Sequence, residues 1–177
     1  MPQQSKETTT TSRKAEQVIP LSHQMQLPPE YGSPNELLDW AEVDEELRNA
    51  GQYWVASVRP DGRPHVVPRD GIWLDDTWHY GGSEATVHNR NLTANRSLTM
   101  HIGDGMTAII VEGEAHFGKA GPSIAQGLAD EQNRKYSHYG MKATPERYIS
   151  MESWSLRATR VLAWTNLPVN ATKFTFT

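Results

Sequence analysis

Apolar and polar positions along the chain change period several times, and each change marks an element. Leu37, Leu38, Ala41, Leu47 and Ala50 recur at helical spacing. They follow Ser33-Pro34-Asn35-Glu36, a capping box with proline at the first helical position, and Gly51 stops the run. The pattern predicts a helix over 34–50 and admits a break near Asp39. The period then falls to two. Residues 53–58, 65–74 and 77–80 read as strands joined by the turns Arg59-Pro60-Asp61-Gly62-Arg63 and Asp75-Asp76. Pro68 cannot donate to a ladder, so it marks an edge or a bulge. Ser83 caps a predicted helix running to about Ala94. Strands follow at 97–103 and 106–117 around Gly103-Asp104-Gly105, with the apolar run Met106–Val111 expected in the core. Ala125, Leu128, Ala129, Gln132, Tyr136 and Tyr139 mark one face of a helix over 122–139 that Gly140 ends, and strands at 154–166 and 171–177 close the chain. Mostly sequential strands with tight turns argue for an antiparallel barrel with flanking helices, a mainly β fold, rather than a parallel α/β sheet.

The run HYGGSEATVHNRNLTANRS, His79 to Ser97, joins the third of these strands to a helix. The start of a helix offers unpaired N–H groups and partial positive charge, a seat for phosphate or carboxylate. Gly81 and Gly82 allow a ligand to approach the backbone closely. Thr86, His88 and Arg90 can add donors. The stretch has neither a Walker lysine nor a GxGxxG pattern, and an ordinary strand–turn–helix connection would read the same way.

Composition narrows the classes. The 177 residues suffice for one domain with a hydrophobic core. Seventeen Lys and Arg against 21 Asp and Glu give a net charge of -4, which argues against a general nucleic-acid or anionic-membrane binder. The chain has no cysteine, which excludes disulfides, thiolate-held metals and thiol catalysis. No apolar run reaches the roughly 18 residues of a membrane span, and no secretory signal is visible, so a cytoplasmic location is expected. Residues 1–30 are polar and proline-containing and predict a mobile arm, with an arm wrapped on a partner subunit as the other reading. Residues 31–177 are expected to form the single domain.

The blocks YWVASVRPDGRPHVVPRDGIW, YGGS…HNRNLTANRSLTMHI, VEGEAHF and VLAWTNLPVNATKF, in this order and spacing, resemble the pyridoxamine 5'-phosphate oxidase-like family of split β-barrels, from about Trp40 to Phe176. Within it they are most similar to the flavin/deazaflavin oxidoreductase branch. The resemblance implies a homodimer with two flavin-type sites at the subunit interface, holding the deazaflavin F420 or, as the alternative, FMN. It implies that Val67, Pro68, Arg69, Tyr80, Gly81, Gly82 and Ser83 line the ring. Thr86, His88, Arg90 and Asn91 would bind the phosphate, and the partner subunit would add Trp164, Asn170 and Lys173. The chain departs from the family pattern where an arginine and a lysine are usual and Val87 and His88 stand. It departs again where Lys173 replaces a closing arginine. On this reading a lysine at position 88 would tighten phosphate binding.

The implied activity is hydride transfer from a reduced deazaflavin to an electron-poor carbon of a small organic substrate, with His65, Tyr136 or Tyr139 as proton donors if one is needed. A non-catalytic cofactor-binding protein on the same fold is the alternative of another class. The seven histidines form no metal-ligating spacing, so no metal is expected. Glu112 and Glu114 share one side of a strand, roughly 7 Å apart, and read as a solvated face more readily than as a hydrolytic pair.

Overall fold

The computed structural model describes residues 19–176. Helix α1 spans Trp40–Asn49, and strands β2 (Tyr53–Val58), β3 (Pro64–Arg69), β4 (Ile72–Leu74) and β5 (Thr77–Tyr80) follow it. Helix α2 covers Val87–Ala94, and β6 (Ser97–Gly103) and β7 (Ala108–Gly118) form the next hairpin. Helices α3 (Pro122–Tyr136) and α4 (Pro145–Ser150) lead into β8 (Ser153–Trp164) and β9 (Thr172–Thr175). A first strand, β1 (Leu21–Gln24), pairs with β9.

All the strand pairings are antiparallel, and the sheet runs β1-β9-β8-β7-β6-β2-β3. Strand β8 is the junction. Along one edge it pairs with β7 over its whole length. Along the other, residues 154–157 pair with β5 and residues 160–163 pair with β9. The sheet therefore divides at β8 into two arms, which is a split barrel. The register of β7 on β8 slips between Glu112 and Gly113, and a Cβ at Gly113 would run into the Arg157 carbonyl, so glycine is required at this bulge. Outside it, Arg160 Nε donates to Glu112 Oε2 at 2.6 Å, so Glu112 is one half of an ion pair rather than of a carboxylate dyad.

Strand alternation builds the core. Tyr53 and Val55 of β2, Trp78 and Tyr80 of β5, and Leu156, Ala158, Val161 and Ala163 of β8 all point inward. Trp78 stacks on Tyr80 at 4.4 Å between ring centroids and packs on Tyr53 at 5.4 Å. At one end Trp40 packs against Trp73, Phe174 and Phe176. A smaller cluster of Ile72, Leu128 and Tyr136 seats α3 on β4.

Several boundaries differ from the sequence reading. Helix α1 starts at Trp40, because Asp39 accepts the Ala41 N–H and the preceding stretch is held elsewhere. The Asn35 and Glu36 N–H groups donate to the Val169 carbonyl, and the Leu38 N–H donates to Thr172 Oγ1. The predicted strand 65–74 is two strands, since β3 pairs with β2 whereas β4 turns away to pair with β5. Met106 is exposed in the β6–β7 turn, where Asp104 Oδ1 accepts the Met106 and Thr107 N–H groups. Of the expected mobile arm, residues 1–18 lie outside the described residues, and Leu21–Gln24 forms β1.

Candidate functional site

The site grows from the ends of β3 and β5. Cross-strand pairing with β2 turns His65, Val67 and Arg69 to the side of Ser57, Val55 and Tyr53, and turns Val66 and Pro68 outward with Trp54. Arg69 Nη2 donates to the Gly81 carbonyl at 2.6 Å, and its guanidinium stands 6.0 Å from the centroid of the Tyr80 ring. Gly82 has φ +134°, and a Cβ there would lie 2.8 Å from Arg69 Nη2, so glycine keeps open the space the guanidinium uses. Arg69 Nε is buried without a hydrogen-bond partner. A cation with a buried, unanswered donor is a feature that an anionic ligand would complete.

Beyond the glycines the chain is locked in place before α2 begins. The Ser83 carbonyl accepts three donors: the Thr86 N–H at 3.1 Å, Thr86 Oγ1 at 2.9 Å and Asn89 Nδ2 at 2.9 Å. Tyr80 OH donates to Asn89 Oδ1 at 3.2 Å, and Ser83 Oγ accepts the Ala85 N–H at 3.2 Å. This moves the helix start from Ser83, where capping residues suggested it, to Thr86. Thr86 Oγ1 accepts no backbone N–H of the helix, so no side chain caps the eight-residue α2 and its first-turn N–H groups lack a side-chain acceptor.

His88 does not face solvent as a phosphate hand would. It is 4% exposed, with Nε2 3.3 Å from Thr86 Oγ1. Since that hydroxyl donates to Ser83, the imidazole is assigned the Nε2–H tautomer, donating to Thr86. Burial, then the Arg69 charge, then His65, push its pKa down to about 4. Neutral at pH 7, His88 braces the corner from behind. His79 is pushed down to about 4 by burial alone. Asn91 is also occupied, its amide donating to Ser57 Oγ at 3.0 Å in the buried interior. Arg90 is exposed. His65 Nδ1 lies 3.1 Å from Arg59 Nη2 and accepts from it.

Behind the corner lies a cavity of about 620 Å³ between β4–β5 and the α3–α4 segment, reaching Arg69 and Tyr80–Ser83 at its mouth. Tyr139 lines it and donates to Asp70 Oδ2 at 3.1 Å. Tyr136 does not line it. Its hydroxyl sits 2.9 Å from the Gly71 carbonyl and 3.1 Å from that of Gly51, and accepts the Gly71 N–H at 3.1 Å, which pins the β3–β4 corner to α3. Beside it Lys135 Nζ donates to Tyr53 OH at 2.8 Å and to the Gly71 carbonyl at 3.1 Å. Burial, then Arg134, lowers its pKa to about 8.

The C-terminal candidates sit apart from this corner. Asn170 is buried and holds its own turn, accepting the Thr165 and Asn166 N–H groups and donating to Thr165 Oγ1 at 2.8 Å. Trp164 Nε1 donates to the Gly105 carbonyl at 3.3 Å. By register, Lys173 shares an outer face with Leu162, Ile110, His101 and Trp54, in one row across the sheet. Asn89 and His79, which organise the corner and floor the cavity, carried no distinguishing sequence signal. Among the described residues, no group of three or more His, Asp or Glu side chains could hold a metal, and no helix is long and apolar enough to cross a membrane.

A family model described as pyridoxamine 5'-phosphate oxidase matches residues 40–165, and the antiparallel sheet with flanking helices is consistent with it. The chain belongs to this family. Among solved structures it is similar to the conserved protein Rv2991 of Mycobacterium tuberculosis, at 15% identity and TM-score 0.57, covering 73% of this chain and 86% of that one. It is also similar to a heme binding protein of Mycobacterium smegmatis, at 18% identity and TM-score 0.56, covering 75% and 57%. A third is a putative 5-nitroimidazole antibiotic resistance protein of Bacteroides thetaiotaomicron, at 12% identity and TM-score 0.55, covering 87% of each chain. At these identities the likeness is one of fold. No curated protein matches the chain.

Proposed function

We propose that this family member is an oxidoreductase that holds a phosphate-bearing deazaflavin (F420) or flavin (FMN) along β3, with the phosphate at the start of α2. The observation that carries the reading is the uncapped first turn of α2 set beside Arg69, whose Nε has no hydrogen-bond partner, on a corner where Gly82 takes a φ of +134° that disfavours a side chain. Arg69 takes over the charge that Val87 and His88 do not supply. Tyr80 and Val67 offer apolar walls to a planar ring, and Asn89 fixes the loop so that the corner needs no reordering to bind. Bound there, the reduced cofactor would supply a hydride for an electron-poor carbon of an organic acceptor. Tyr139 keeps a proton on its hydroxyl at the cavity edge, where Asp70 accepts its hydrogen bond and raises its pKa.

Dimerisation belongs to the same reading. Trp54 and Val66 are 42% and 50% exposed on the outer face of the β2–β3 arm, the face that also carries Lys173, and a second copy seated there would cover them. Fluorescence titration of the purified chain with F420 and with FMN tests the cofactor. Binding is expected, and Arg69→Met is expected to weaken it by about tenfold or more, the worth of a charge-assisted contact. No binding of either cofactor, or equal binding by the variant, would overturn the site.

The buried, neutral His88 favours a second reading, a cofactor-binding protein without turnover. Under it, bound reduced cofactor persists in the presence of quinones, tetrapyrroles and enones.

A further inference from the structure

The chain contains three Asp-Gly steps, Asp61-Gly62, Asp70-Gly71 and Asp104-Gly105, and the fold needs the glycine in each. Gly62 and Gly105 take φ of +84° and +96° in hairpin turns, and a Cβ at Gly71 would run into the Trp78 indole. Such steps are open to self-damage, because a glycine has no side chain to keep its backbone nitrogen away from the preceding aspartate. That nitrogen can attack the aspartate Cγ. A C–N bond forms, the amide proton and the carboxyl OH leave as water, and a succinimide ring closes. Water then opens the ring. Where it breaks the bond to the main-chain carbonyl, the backbone is left running through the aspartate Cβ, as isoaspartate. The reaction needs a glycine nitrogen free to turn onto Cγ and a carboxyl group free to take up a proton and give up an oxygen.

Both needs are blocked at each step. The Gly62 N–H donates to the Arg59 carbonyl at 2.8 Å, and the Asp61 carboxylate accepts the Arg63 N–H at 3.1 Å, Nε at 2.9 Å and Nη2 at 2.7 Å. The Gly105 N–H donates to the Thr107 carbonyl at 3.2 Å, and Asp104 Oδ1 accepts the Met106 and Thr107 N–H groups. The Arg63 side chain at Asp61, and the Thr107 and Met106 N–H groups at Asp104, hold these carboxyls below the usual carboxylate range. At the third step the Gly71 N–H donates to Tyr136 OH at 3.1 Å, and Asp70 Oδ2 accepts Tyr139 OH at 3.1 Å. The first two sets of contacts close within a single turn. The third comes from residues 65 and 69 positions further along the chain, at the end of α3 and just beyond it.

We propose that the fold holds all three steps in the aspartyl form and that Asp70 is a latent modification site, converted to isoaspartate when the Tyr136–Tyr139 segment lifts from the β3–β4 corner. The modification falls directly after Arg69. One added main-chain carbon there displaces the guanidinium from the glycine corner, and this consequence alone rests on the oxidoreductase reading.

Ageing the full chain at neutral pH, folded and in concentrated urea, tests this. Isoaspartate is counted by isoaspartate-specific enzymatic methylation and located by peptide mapping. In urea all three steps are expected to convert. In the folded chain each should convert at least about tenfold more slowly, because closure waits on local opening. Tyr136→Phe removes the acceptor of the Gly71 N–H, and Tyr139→Phe removes the donor to Asp70. Each should raise isoaspartate at Asp70 about fivefold, the worth of one hydrogen bond, and leave Asp61 and Asp104 unchanged. Arg63→Met should raise it at Asp61 alone. Tyr139 is exposed, so its variant keeps the fold even where Tyr136→Phe does not. Folded conversion at the unfolded rate, no rise at Asp70 in either tyrosine variant, or an equal rise at all three steps in Tyr139→Phe would each overturn the proposal. If F420 and FMN fail to bind while the isoaspartate pattern is as expected, the oxidoreductase reading falls and the modification site stands. The reverse outcome removes the modification site alone.

Discussion

His79 and His88 make the site acid-labile in a way that can be worked out in advance. Both are held near pKa 4, against 6.5 in an open chain. A histidine held below its ordinary value binds fewer protons folded than unfolded. Its contribution is therefore complete above about pH 6.5 and is lost as pH falls toward 4. With these two values each histidine could remove up to about 2.4 kcal/mol between pH 7 and pH 4.5. Relaxation of the packing on protonation lowers these upper limits, so about 3 kcal/mol for the pair is the working figure. Asp76 acts in the opposite sense. Burial and the neighbouring Asp44 and Asp75 raise it to about 6, so its ionisation costs stability above that pH, and acidification returns about 1 kcal/mol once its partial exposure is discounted. The net expectation is a fall of about 2 kcal/mol, a large share of the 5–15 kcal/mol typical of a domain. Urea unfolding at pH 7.0, 5.5 and 4.5 reads it as a midpoint shift of about 1 M. The double variant His79→Gln/His88→Gln should flatten the profile, and Asp76→Asn should steepen it. Equal stability at pH 7.0 and 4.5 in the Asp76→Asn background, or an undiminished fall in the double variant, would refute the reasoning.

Other outcomes are equally definite. Gly71→Ala places a Cβ inside the Trp78 indole, so thermal unfolding should show a loss of about 3 kcal/mol or more. Asp76→Asn should raise stability at pH 7 by about 1 kcal/mol, because it removes a half-buried charge and asparagine accepts the positive φ of 55°. His88→Lys, which the sequence suggested would tighten phosphate, instead buries an ammonium beside Arg69. Chemical denaturation should show a loss of about 2 kcal/mol, with no gain in F420 affinity.

How much was legible follows from how local each feature is. The barrel strands, the Asp75-Asp76 turn and the glycine corner are written in period and turn chemistry. Asp75 and Asp76 indeed adopt the left-handed conformation of a tight hairpin. Strand β1 was not legible, because Leu21–Gln24 carries little apolar signal and is ordered by the edge of β9. The start of α2 was misplaced because Ser83, Thr86 and Asn89 compete as caps, and only the convergence of three donors on the Ser83 carbonyl decides among them. The cavity could not be foreseen. Its walls come from segments some seventy residues apart, and α4, a six-residue helix, gives no periodic signal. His88 shows the same limit. A histidine two positions into a helix looks available, and only the packed structure buries it.

Strand β3 forms one outer margin of the sheet. Such a margin, with an exposed valine at position 66, would ordinarily invite stacking by further chains into fibrous aggregates. Pro64 and Pro68 lie in the same six-residue strand and have no N–H to offer an incoming chain. The open edge is thereby guarded against runaway polymerisation, while the flat side of the same strand stays free for a partner of fixed size.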